Sequence, residues 1–249
     1  MKMLLKNWRI SLRNLKRNKL FSTIGIVGFA SGFSVCLIIG LYVYSELSVD
    51  KYLNNYQRIY RLVDPKTNSS ELDYRIQEVL KEKYPAIERA VPIYIASMNA
   101  DVYTSNHSFY IQGFISTTND FFETFEVNVS ESISEKPFAD QNSSILTKSA
   151  AKKIFGDQNP LGQSLRIQNL ETTVSAVIDD FPVNSSIAGN ILINSEKEES
   201  RLNANFNNGE IFNTTTHYLL LKNPNESAKL EKILNETIGS YSKQVKQVR

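Results

Sequence analysis

The sequence predicts an α+β protein with a single N-terminal transmembrane helix followed by one large extracytoplasmic domain. Three observations support this class. No charged residue occurs between Lys19 and Glu46, all acidic residues follow that gap, and the rest of the chain mixes helical and strand-like hydrophobic periods. With 249 residues, 41% hydrophobic and 22% charged, the chain can bury a sizeable core and is too polar for several membrane spans.

Residues 1–20 are predicted to form a basic cytoplasmic segment. They hold seven cationic residues and no acid, although the whole chain has 28 basic and 26 acidic residues. Leu5, Trp8, Leu12 and Leu15 are spaced as on one helix face, which predicts an amphipathic helix on the cytoplasmic leaflet. The simpler alternative is a charge cluster that only sets topology. The predicted membrane-interface residues, here and at the far end of the span, are Trp8, Arg9, Arg13, Lys16, Arg17, Lys19, Tyr42 and Tyr44.

Residues 21–45 are predicted to cross the membrane. As a helix with a rise of about 1.5 Å per residue, the run 21–44 would be about 36 Å long, which exceeds a bilayer core of about 30 Å. Tyr42 and Tyr44 lie near one end, where amphipathic rings favour the interface. The cationic flank is expected to stay in the cytoplasm, which places residues 46–249 on the periplasmic side.

Three other interpretations compete with a permanent anchor. A cleaved signal peptide has a shorter apolar region and an A-x-A-like exit. A lipoprotein signal needs a small residue directly before the cysteine, whereas Val35 precedes Cys36. A buried helix of a soluble protein rarely reaches this length without a charge. The anchor is therefore the favoured interpretation.

Gly25, Gly28 and Gly32 predict a helix-packing face within the span. Gly28 and Gly32 form a G-x-x-x-G pair, which lets two helix backbones approach closely. Glycine is also common in membrane helices that have no such role, so the pattern leaves both interpretations open.

The extracytoplasmic region contains short strands and helices bounded by turn residues, without a repeat of fixed length. Residues 48–56 are polar, with two tyrosines on helical spacing, and residues 195–210 are typical of an exposed loop. Predicted strands are 58–63, 94–96, 100–103, 108–111, 144–147, 165–167, 172–178, 191–193 and 216–221. Predicted helices are 72–83, 119–125, 149–155 with a stop at Gly156, and 227–237.

The residue types disfavour catalysis and cofactor binding. One cysteine and two histidines give no disulfide framework and little room for a metal site. The only glycine-dense stretch lies in the span and lacks the Lys-Ser/Thr of a phosphate-binding loop. Asp179-Asp180 is typical of a turn or solvated edge, and His107 and His217 of surface or half-buried side chains. Basic residues beyond the N-terminus are scattered, which argues against nucleic acid.

Several strings, in order along the chain, resemble FtsX/MacB-type ABC transporter permeases. Arg13-Asn-Leu-Lys-Arg-Asn-Lys-Leu-Phe-Ser22 resembles the entry to the first membrane helix of that family. Glu46-Leu-Ser-Val-Asp50 followed by Arg58-Ile-Tyr-Arg61 is similar to the segment after that helix. Phe121-Phe-Glu-Thr-Phe125 is similar to the family's FF-x-x-F element.

The later strings extend the resemblance over most of residues 11–193. Ala150-Ala-Lys-Lys-Ile-Phe-Gly-Asp-Gln-Asn-Pro-Leu-Gly162 resembles the family pattern A-K-x-[LI]-F-G-D-x-x-P-[LI]-G, and Val174-Ser-Ala-Val-Ile-Asp-Asp-Phe-Pro182 resembles the strand and turn after it. These motifs are expected to form the fold and not a catalytic site. The residues concerned are Arg58, Tyr60, Arg61, Phe121, Phe122, Phe125, Phe155, Gly156, Pro160, Gly162, Phe181 and Pro182.

The resemblance implies that residues 46–249 form a MacB-like periplasmic core domain, a porter-like α/β lobe with an inserted second lobe at about 105–165. It implies a non-catalytic permease component of the cell inner membrane, of the efflux or lipoprotein/cell-envelope type. A separate cytoplasmic ABC ATPase would bind the ATP. Further expected partners are a second copy or other permease segments, a periplasmic adaptor or outer-membrane partner, and membrane lipid, without nucleic acid.

The sequence departs from the family after this domain. Family permeases have three further membrane helices, whereas residues 227–249 are polar and no second apolar run of about 18 residues occurs. We therefore expect a truncated or split member. The main alternative is a single-pass anchored sensor or binding module. An anchored enzyme is disfavoured because no nucleophile–base or metal constellation is found.

A charge in the middle of the span should impair membrane insertion. We expect Ile26→Arg to cost on the order of 3 kcal/mol, because a guanidinium at the bilayer centre is poorly solvated. The measurement is the fraction of full-length chain that resists carbonate extraction from membranes, with Ile26→Leu as the control. A normal membrane yield for Ile26→Arg would count against the anchor.

Overall fold

The computed structural model describes residues 13, 17–64, 67–73, 76–105, 107–167, 170–195, 214–227, 229–230, 232–234 and 236–237. The chain divides into two compact units, Met1–Val49 and Asp50–Arg249. Trp8, Arg9 and Lys16 of the predicted basic helix, and residues 196–210 of the predicted loop, lie outside the described residues.

The first unit contains helix α1, Lys19–Leu47, which has 29 residues. The mean hydropathy of its most apolar stretch is 2.3, and none of its residues is buried within the chain. Its apolar side chains surround the helix and do not form one face, which is the pattern of a helix with apolar surroundings on all sides. By length and composition α1 can cross a membrane.

The second unit contains ten strands within the described residues. The strands are β1 Ile59–Arg61, β2 Glu71–Asp73, β3 Ile87–Tyr103, β4 Ser108–Thr117, β5 Val129–Ser132, β6 Ser143–Thr147, β7 Ser164–Ile167, β8 Leu170–Ile178, β9 Ile191–Asn194 and β10 Thr214–Leu221. The α-helices are α2 Ile76–Lys83, α3 Asp120–Thr124 and α4 Lys148–Phe155. One-turn 3-10 helices lie at Tyr56–Arg58 and Pro224–Glu226, and the described residues between 227 and 237 are helical.

The strands form one mixed sheet in the order β1-β10-β3-β4-β9-β6-β8-β5, with β2 beside β10 and β7 beside β3 and β8. The β4–β9 and β6–β8 pairs are parallel, and the other pairs are antiparallel. The early part of β3 pairs with β10, and its later part pairs with β4 and β7. The prediction of separate strands at 94–96 and 100–103 is therefore wrong. The chain stays extended across the register shift between Ala96 and Asn99 because β4 supplies partners on both sides.

Three apolar clusters fill the second unit. The first contains the phenylalanines of α3 and lies on one face of the sheet, and the second contains α4 and lies on the other face. In β6, Ile145 belongs to the first cluster and Leu146 to the second, as expected for side chains that alternate along a strand. The third cluster joins β1, β10 and α2 to the helical residues near the C-terminus.

The predicted helix 72–83 is wrong in its first part. Glu71–Asp73 forms β2, and α2 begins only at Ile76. Leu72 pairs with Thr215 of β10 and is buried in the third cluster. Pairing and burial thus outweigh local helix propensity there. Strand β5 was not predicted from the sequence, because most of its residues are exposed and show no hydrophobic alternation.

Helix α4 begins and ends close to where the sequence predicts. The Thr147 hydroxyl caps its first turn by accepting a hydrogen bond from the Ala150 N–H at 3.2 Å. The helix ends at Phe155, and Gly156 follows with φ 65°. A positive φ is what makes glycine suitable at a helix end.

Two glycines let the loop before β9 approach strand β4 at backbone distance. Gly113 has φ 78°, and a Cβ there would lie 3.0 Å from the Gly189 Cα. A Cβ on Gly189 would lie 2.7 Å from the Ile115 Cγ1. The Asn190 N–H donates to the Gly113 carbonyl at 2.9 Å, which holds the two backbones together. Neither glycine stands out in the sequence, because the partner of each is distant in the chain.

Replacing Gly113 or Gly162 by alanine should separate backbone strain from steric contact. Their φ values are 78° and 77°, but a Cβ on Gly162 meets no atom within 4 Å. We expect Gly162→Ala to lose about 1 kcal/mol of unfolding free energy, from strain alone. Gly113→Ala should lose roughly 1–3 kcal/mol more, from overpacking. Urea unfolding of the detergent-solubilised full chain measures both losses, and equal losses would contradict the close approach of the two backbones.

Candidate functional site: a carboxylate clasp after the apolar helix

The segment 50–56, which follows α1 in the chain, folds into consecutive turns. The Leu53 N–H donates to the Asp50 carbonyl at 3.2 Å, and the Tyr56 N–H donates to the Leu53 carbonyl at 3.3 Å. The helical spacing of Tyr52 and Tyr56 therefore does not produce an α-helix. The segment instead takes its fixed shape from two carboxylates, those of Asp50 and Glu126.

Asp50 fastens the segment to the loop before β9. Its Oδ1 accepts a hydrogen bond from the Ser186 N–H at 2.8 Å, and its Oδ2 accepts one from the Ser186 hydroxyl. The Asp50 N–H donates to the Asn184 carbonyl at 3.0 Å. The Tyr52 and Ser185 hydroxyls share a further bond of 2.9 Å. The backbone and the side chain of Asp50 therefore both bind the loop before β9.

Glu126 fastens the segment to the end of α3. Its Oε2 accepts from the N–H and Nδ2 of Asn54 at 3.2 and 2.7 Å. Its Oε1 accepts from the N–H and Nδ2 of Asn55 at 3.2 and 3.0 Å. An ionised carboxylate has about four acceptor positions, so these donors use its capacity fully. We call the contacts of Asp50 and Glu126 with Asn54, Asn55 and Ser186 the carboxylate clasp.

Both carboxylates of the clasp lie on strained backbone. Asp50 has φ 56° and Glu126 has φ 50°, and within the described residues the only other non-glycine residue with positive φ is Asn68. A left-handed conformation costs a residue with a Cβ roughly 1–2 kcal/mol. Glycine would avoid the cost but has no carboxylate. The hydrogen bonds of the clasp thus maintain a conformation that the local sequence disfavours.

The phenylalanines of the FF-x-x-F motif fix the position of Glu126. Phe121, Phe122 and Phe125 are at most 6% exposed, and the rings of Phe121 and Phe125 lie 5.0 Å apart. Leu53, from the middle of the segment, is 3% exposed in the same cluster. Apolar packing and the charged clasp therefore hold the same two pieces of chain together.

The loop that carries Ser185 and Ser186 is itself anchored. The Phe181 ring meets the edge of Phe121 at 6.3 Å between centroids. The carbonyl of Pro182 accepts a hydrogen bond from the Ser185 N–H at 3.0 Å. The predicted motif residues Phe181 and Pro182 thus lie next to the clasp, and their contacts support it.

Arg58 and Tyr60 fix strand β1. The Arg58 Nε donates to the Leu221 carbonyl at 2.7 Å, its Nη1 donates to Asn55 Oδ1 at 3.1 Å, and its Nη2 pairs with Glu88. The Tyr60 hydroxyl donates to the Pro224 carbonyl at 3.3 Å. Arg58 therefore links the clasp segment to β10, while the exposed Arg61 lines a cavity.

The remaining motif residues shape the turn between α4 and β7. Gly156 and Gly162 have positive φ. Phe155 packs against the second cluster. The carbonyl of Pro160 accepts a hydrogen bond from the Gln163 N–H at 3.1 Å. No contact of these residues with the clasp is found in the described part of the chain.

The carboxylate pair Asp179-Asp180 makes structural contacts. Asp179 accepts hydrogen bonds from Asn128 at 2.6 Å and from Ser130 at 2.8 Å. The hydrogen bond from Lys148, followed by these two, holds the pKa of Asp179 well below its usual range. Asp180 accepts from the N–H and hydroxyl of a residue in the first turn of α4, Ser149. His217, predicted to be surface or half-buried, is fully buried in β10.

The predicted membrane residues that the structure describes all have accessible side chains. Arg13, Arg17, Lys19, Tyr42 and Tyr44 are exposed. The span glycines of the predicted packing face are Gly25, Gly28 and Gly32. A Cβ on any of them would meet no atom within 4 Å, so the surface around them is open in the single chain. Their roles at the interface and in helix packing stay predictions.

Most of the clasp cannot be recognised in the sequence. Asp50 stands out only as part of a motif, and Glu126, Asn54 and Asn55 belong to no predicted site. The available signal was the position of Glu126 directly after the FF-x-x-F element. Contacts between residues about 70 positions apart leave no periodicity for sequence reasoning to detect.

The second unit also has an open cleft of about 550 Å³. Ile95, Gln112, Phe181 and Asn190 are among the residues that line it. Within the described residues, no group of three His, Cys, Asp or Glu side chains could hold a metal ion.

Glu126→Gln should open the clasp without unfolding the core. An amide in place of the carboxylate puts a donor against the donors of Asn54 or Asn55, so we expect exchange of the 50–56 amides to rise about tenfold, equivalent to ~1.4 kcal/mol. Hydrogen exchange of the full chain, read by mass spectrometry, measures it. The amides of β6 serve as the internal reference.

Glu135→Gln is the matched control. Glu135 is exposed, and the described structure gives it no hydrogen bond or ion pair. Unchanged exchange of 50–56 in Glu126→Gln, or an equal rise in Glu135→Gln, would contradict the clasp.

The chain matches one protein family over most of its length. The sequence pattern of the MacB-like periplasmic core domain matches residues 22–236. No curated protein sequence gives a significant match.

Solved structures share the fold. A domain assigned to a permease protein of Porphyromonas gingivalis aligns with TM-score 0.57 at 20% identity, covering 68% of this chain and 77% of that one. The periplasmic region of MacB from Actinobacillus actinomycetemcomitans aligns with TM-score 0.54 at 17% identity, covering 74% and 82%. The extracellular domain of the noncanonical ABC-type transporter YknZ from Gram-positive bacteria aligns with TM-score 0.52 at 12% identity, covering 73% and 93%.

The matched family and the shared fold confirm the predicted fold class. Helix α1 precedes a mixed α/β domain whose fold is that of the MacB periplasmic region. The chain therefore belongs to the MacB-like periplasmic core domain family and carries the first apolar helix and the periplasmic domain of an FtsX/MacB-type permease.

Proposed function

We propose that the chain is a non-catalytic component of an ABC permease and relays motion from a separate cytoplasmic ATPase to its periplasmic domain through the carboxylate clasp. Family membership supports the permease-type role. The observation that carries the relay is that six hydrogen bonds to the Asp50 and Glu126 carboxylates hold the segment that directly follows α1 in the chain. In this proposal the chain binds no ATP itself.

The clasp suits a relay because it lets the segment 50–56 move little relative to the rest of the domain. A displacement that enters the second unit at Asp50 meets two carboxylate anchors within six residues. One anchor is a loop next to a sheet strand, β9, and the other is the end of α3 above the phenylalanine cluster. Movement of the segment would therefore be transmitted to both places, and the domain would follow as one body.

The apolar helix and the periplasmic-type domain fit a single-pass protein of the inner membrane. In our proposal the basic segment 1–20 lies in the cytoplasm and the residues after α1 lie in the periplasm, as the positive-inside rule favours. The expectation of a split or truncated permease, and of an adaptor or outer-membrane partner, stays a prediction.

An anchored binding module is the second candidate function. The cleft of about 550 Å³ favours it, because its volume falls within the usual range of ligand sites. A compound that raises the melting temperature of the full chain would support this function, since binding stabilises by mass action. Replacing Asn190 at the cleft should then abolish this rise in melting temperature and leave the clasp unchanged.

Affinity capture from detergent-solubilised membranes of the native host tests the relay. We expect the full chain to retain an ABC ATPase identified by mass spectrometry. In the captured complex that carries Glu126→Gln, ATP hydrolysis should continue but should no longer drive transport. In the complex that carries Glu135→Gln, both hydrolysis and transport should equal those of the unmodified chain. Recovery of the chain without an ATPase, or unchanged transport in Glu126→Gln, would reject the relay.

A further inference from the structure

A second cavity lies beside the clasp. Its volume is about 300 Å³, at the lower end of ligand-site volumes and suited to a small headgroup. Buried Leu53 and Phe125 belong to its lining, and the Phe125 ring meets Tyr218 edge-on at 5.3 Å. Asp50 and Arg61 add one charge of each sign to this apolar and aromatic lining. The cavity therefore combines stacking surfaces with two opposite charges.

The two arginines of the Arg58-Ile-Tyr-Arg61 motif have different surroundings. Arg58 is engaged by a backbone carbonyl, an amide oxygen and Glu88. Arg61 forms no ion pair with any carboxylate in the described part of the chain. It is the cross-strand partner of Tyr218, so both side chains lie on the same face of the sheet. A guanidinium and a hydroxyl that point to one cavity can both donate to an anion.

Asp50 limits which anion can enter. Asp50, Arg61 and Tyr218 all line the cavity. Burial raises the pKa of Tyr218, the charge of Arg61 lowers it, the charge of Asp50 raises it, and a hydrogen bond with Arg61 lowers it. A doubly charged phosphate monoester would be repelled by the Asp50 carboxylate. A singly charged phosphodiester joined to an ammonium group would match both charges, and aromatic faces attract ammonium groups as well.

The cavity is also close to the end of α1 along the chain. Asp50 follows Leu47, the last residue of α1, by three positions. An extended chain spans at most about 3.5 Å per residue, so the Cα atoms of these residues lie within about 11 Å of each other at any angle between the two units. Membrane phospholipids are therefore within reach of the cavity if α1 spans the bilayer.

We propose that this cavity binds the zwitterionic headgroup of a membrane phospholipid, with the phosphodiester held by Arg61 and the Tyr218 hydroxyl. The ammonium group lies against the Asp50 carboxylate and the aromatic lining of Tyr56 and Phe125. Because Asp50 is shared between the clasp and the cavity, lipid binding would stabilise the clasp in its closed form. The site requires only that α1 spans the membrane, and it stands whether or not an ATPase binds.

Native mass spectrometry of the full chain in detergent tests the site. Phosphatidylethanolamine and phosphatidylglycerol are added separately, and the bound fraction is titrated. We expect phosphatidylethanolamine to bind at least about tenfold more tightly, and Arg61→Gln to lose at least about tenfold in affinity, because charge-assisted hydrogen bonds are lost. Tyr218→Phe, which keeps the ring, should lose less. Lys51→Gln removes an exposed cation near the same end of α1 and should change nothing.

Melting temperatures of all variants accompany the titration. If Arg61→Gln fails to fold, Tyr218→Phe carries the test. Equal phosphatidylethanolamine affinity in the unmodified chain and in the folded cavity variant would overturn the proposal, as would an equal loss in Lys51→Gln. Equal binding of the two lipids would overturn the zwitterionic assignment.

Water-soluble glycerophosphoethanolamine separates the two sources of this headgroup. If it competes only at concentrations far above those of the lipid, the lipid is the ligand. If it binds as tightly as the lipid, the membrane source is overturned.

Discussion

The arrangement of the segment 50–56, with which the second unit begins, depends on four hydrogen bonds. Glu126 accepts them from Asn54 and Asn55. They tie the first residues of the unit to the end of α3, 71 to 72 positions away in the chain. The phenylalanine cluster fixes the position of Glu126, and the loop of Ser186 holds the same segment through Asp50. Without the hydrogen bonds of Glu126 the segment would lose its link to the end of α3 and would be held by the contacts of Asp50 and Tyr52 with the loop before β9 and by the burial of Leu53.

Backbone strain and the proposed relay coincide at the clasp. Two acidic residues adopt φ values that glycine adopts at little cost. The Asp50 carboxylate joins the segment to Ser186, and the Glu126 carboxylate joins the same segment to the end of α3. The hydrogen bonds are charge-assisted, so each contributes more than a neutral bond and together they can outweigh the backbone cost. A segment held in this way has one preferred geometry, which is the property that a mechanical linkage needs. The neighbouring cavity shares Asp50, so a bound headgroup and the linkage would respond to each other.

The elements that the sequence predicts correctly are those with strong local signals. The charge-free run became α1, the alternation in 172–178 became most of β8, and Gly156 marks the end of α4. Strand β2 and the unbroken β3 were missed because pairing with β10 and β4 decides their conformation. The family motifs located Arg58 and the phenylalanines. They did not reveal what those residues support, because Glu126 and Asn54 meet only after the chain has folded.

The most direct test of the clasp is a distance measurement across it. Spin labels at Lys51→Cys and Glu135→Cys, in a full chain carrying Cys36→Ser and reconstituted in nanodiscs, would report the distance between the segment and the core by pulsed electron resonance. A rigid clasp predicts one narrow distance distribution, which broadens when Glu126→Gln is added. A broad distribution in the chain that retains Glu126, or the same narrow distribution after Glu126→Gln, would contradict the view that the clasp makes the segment and the domain one body.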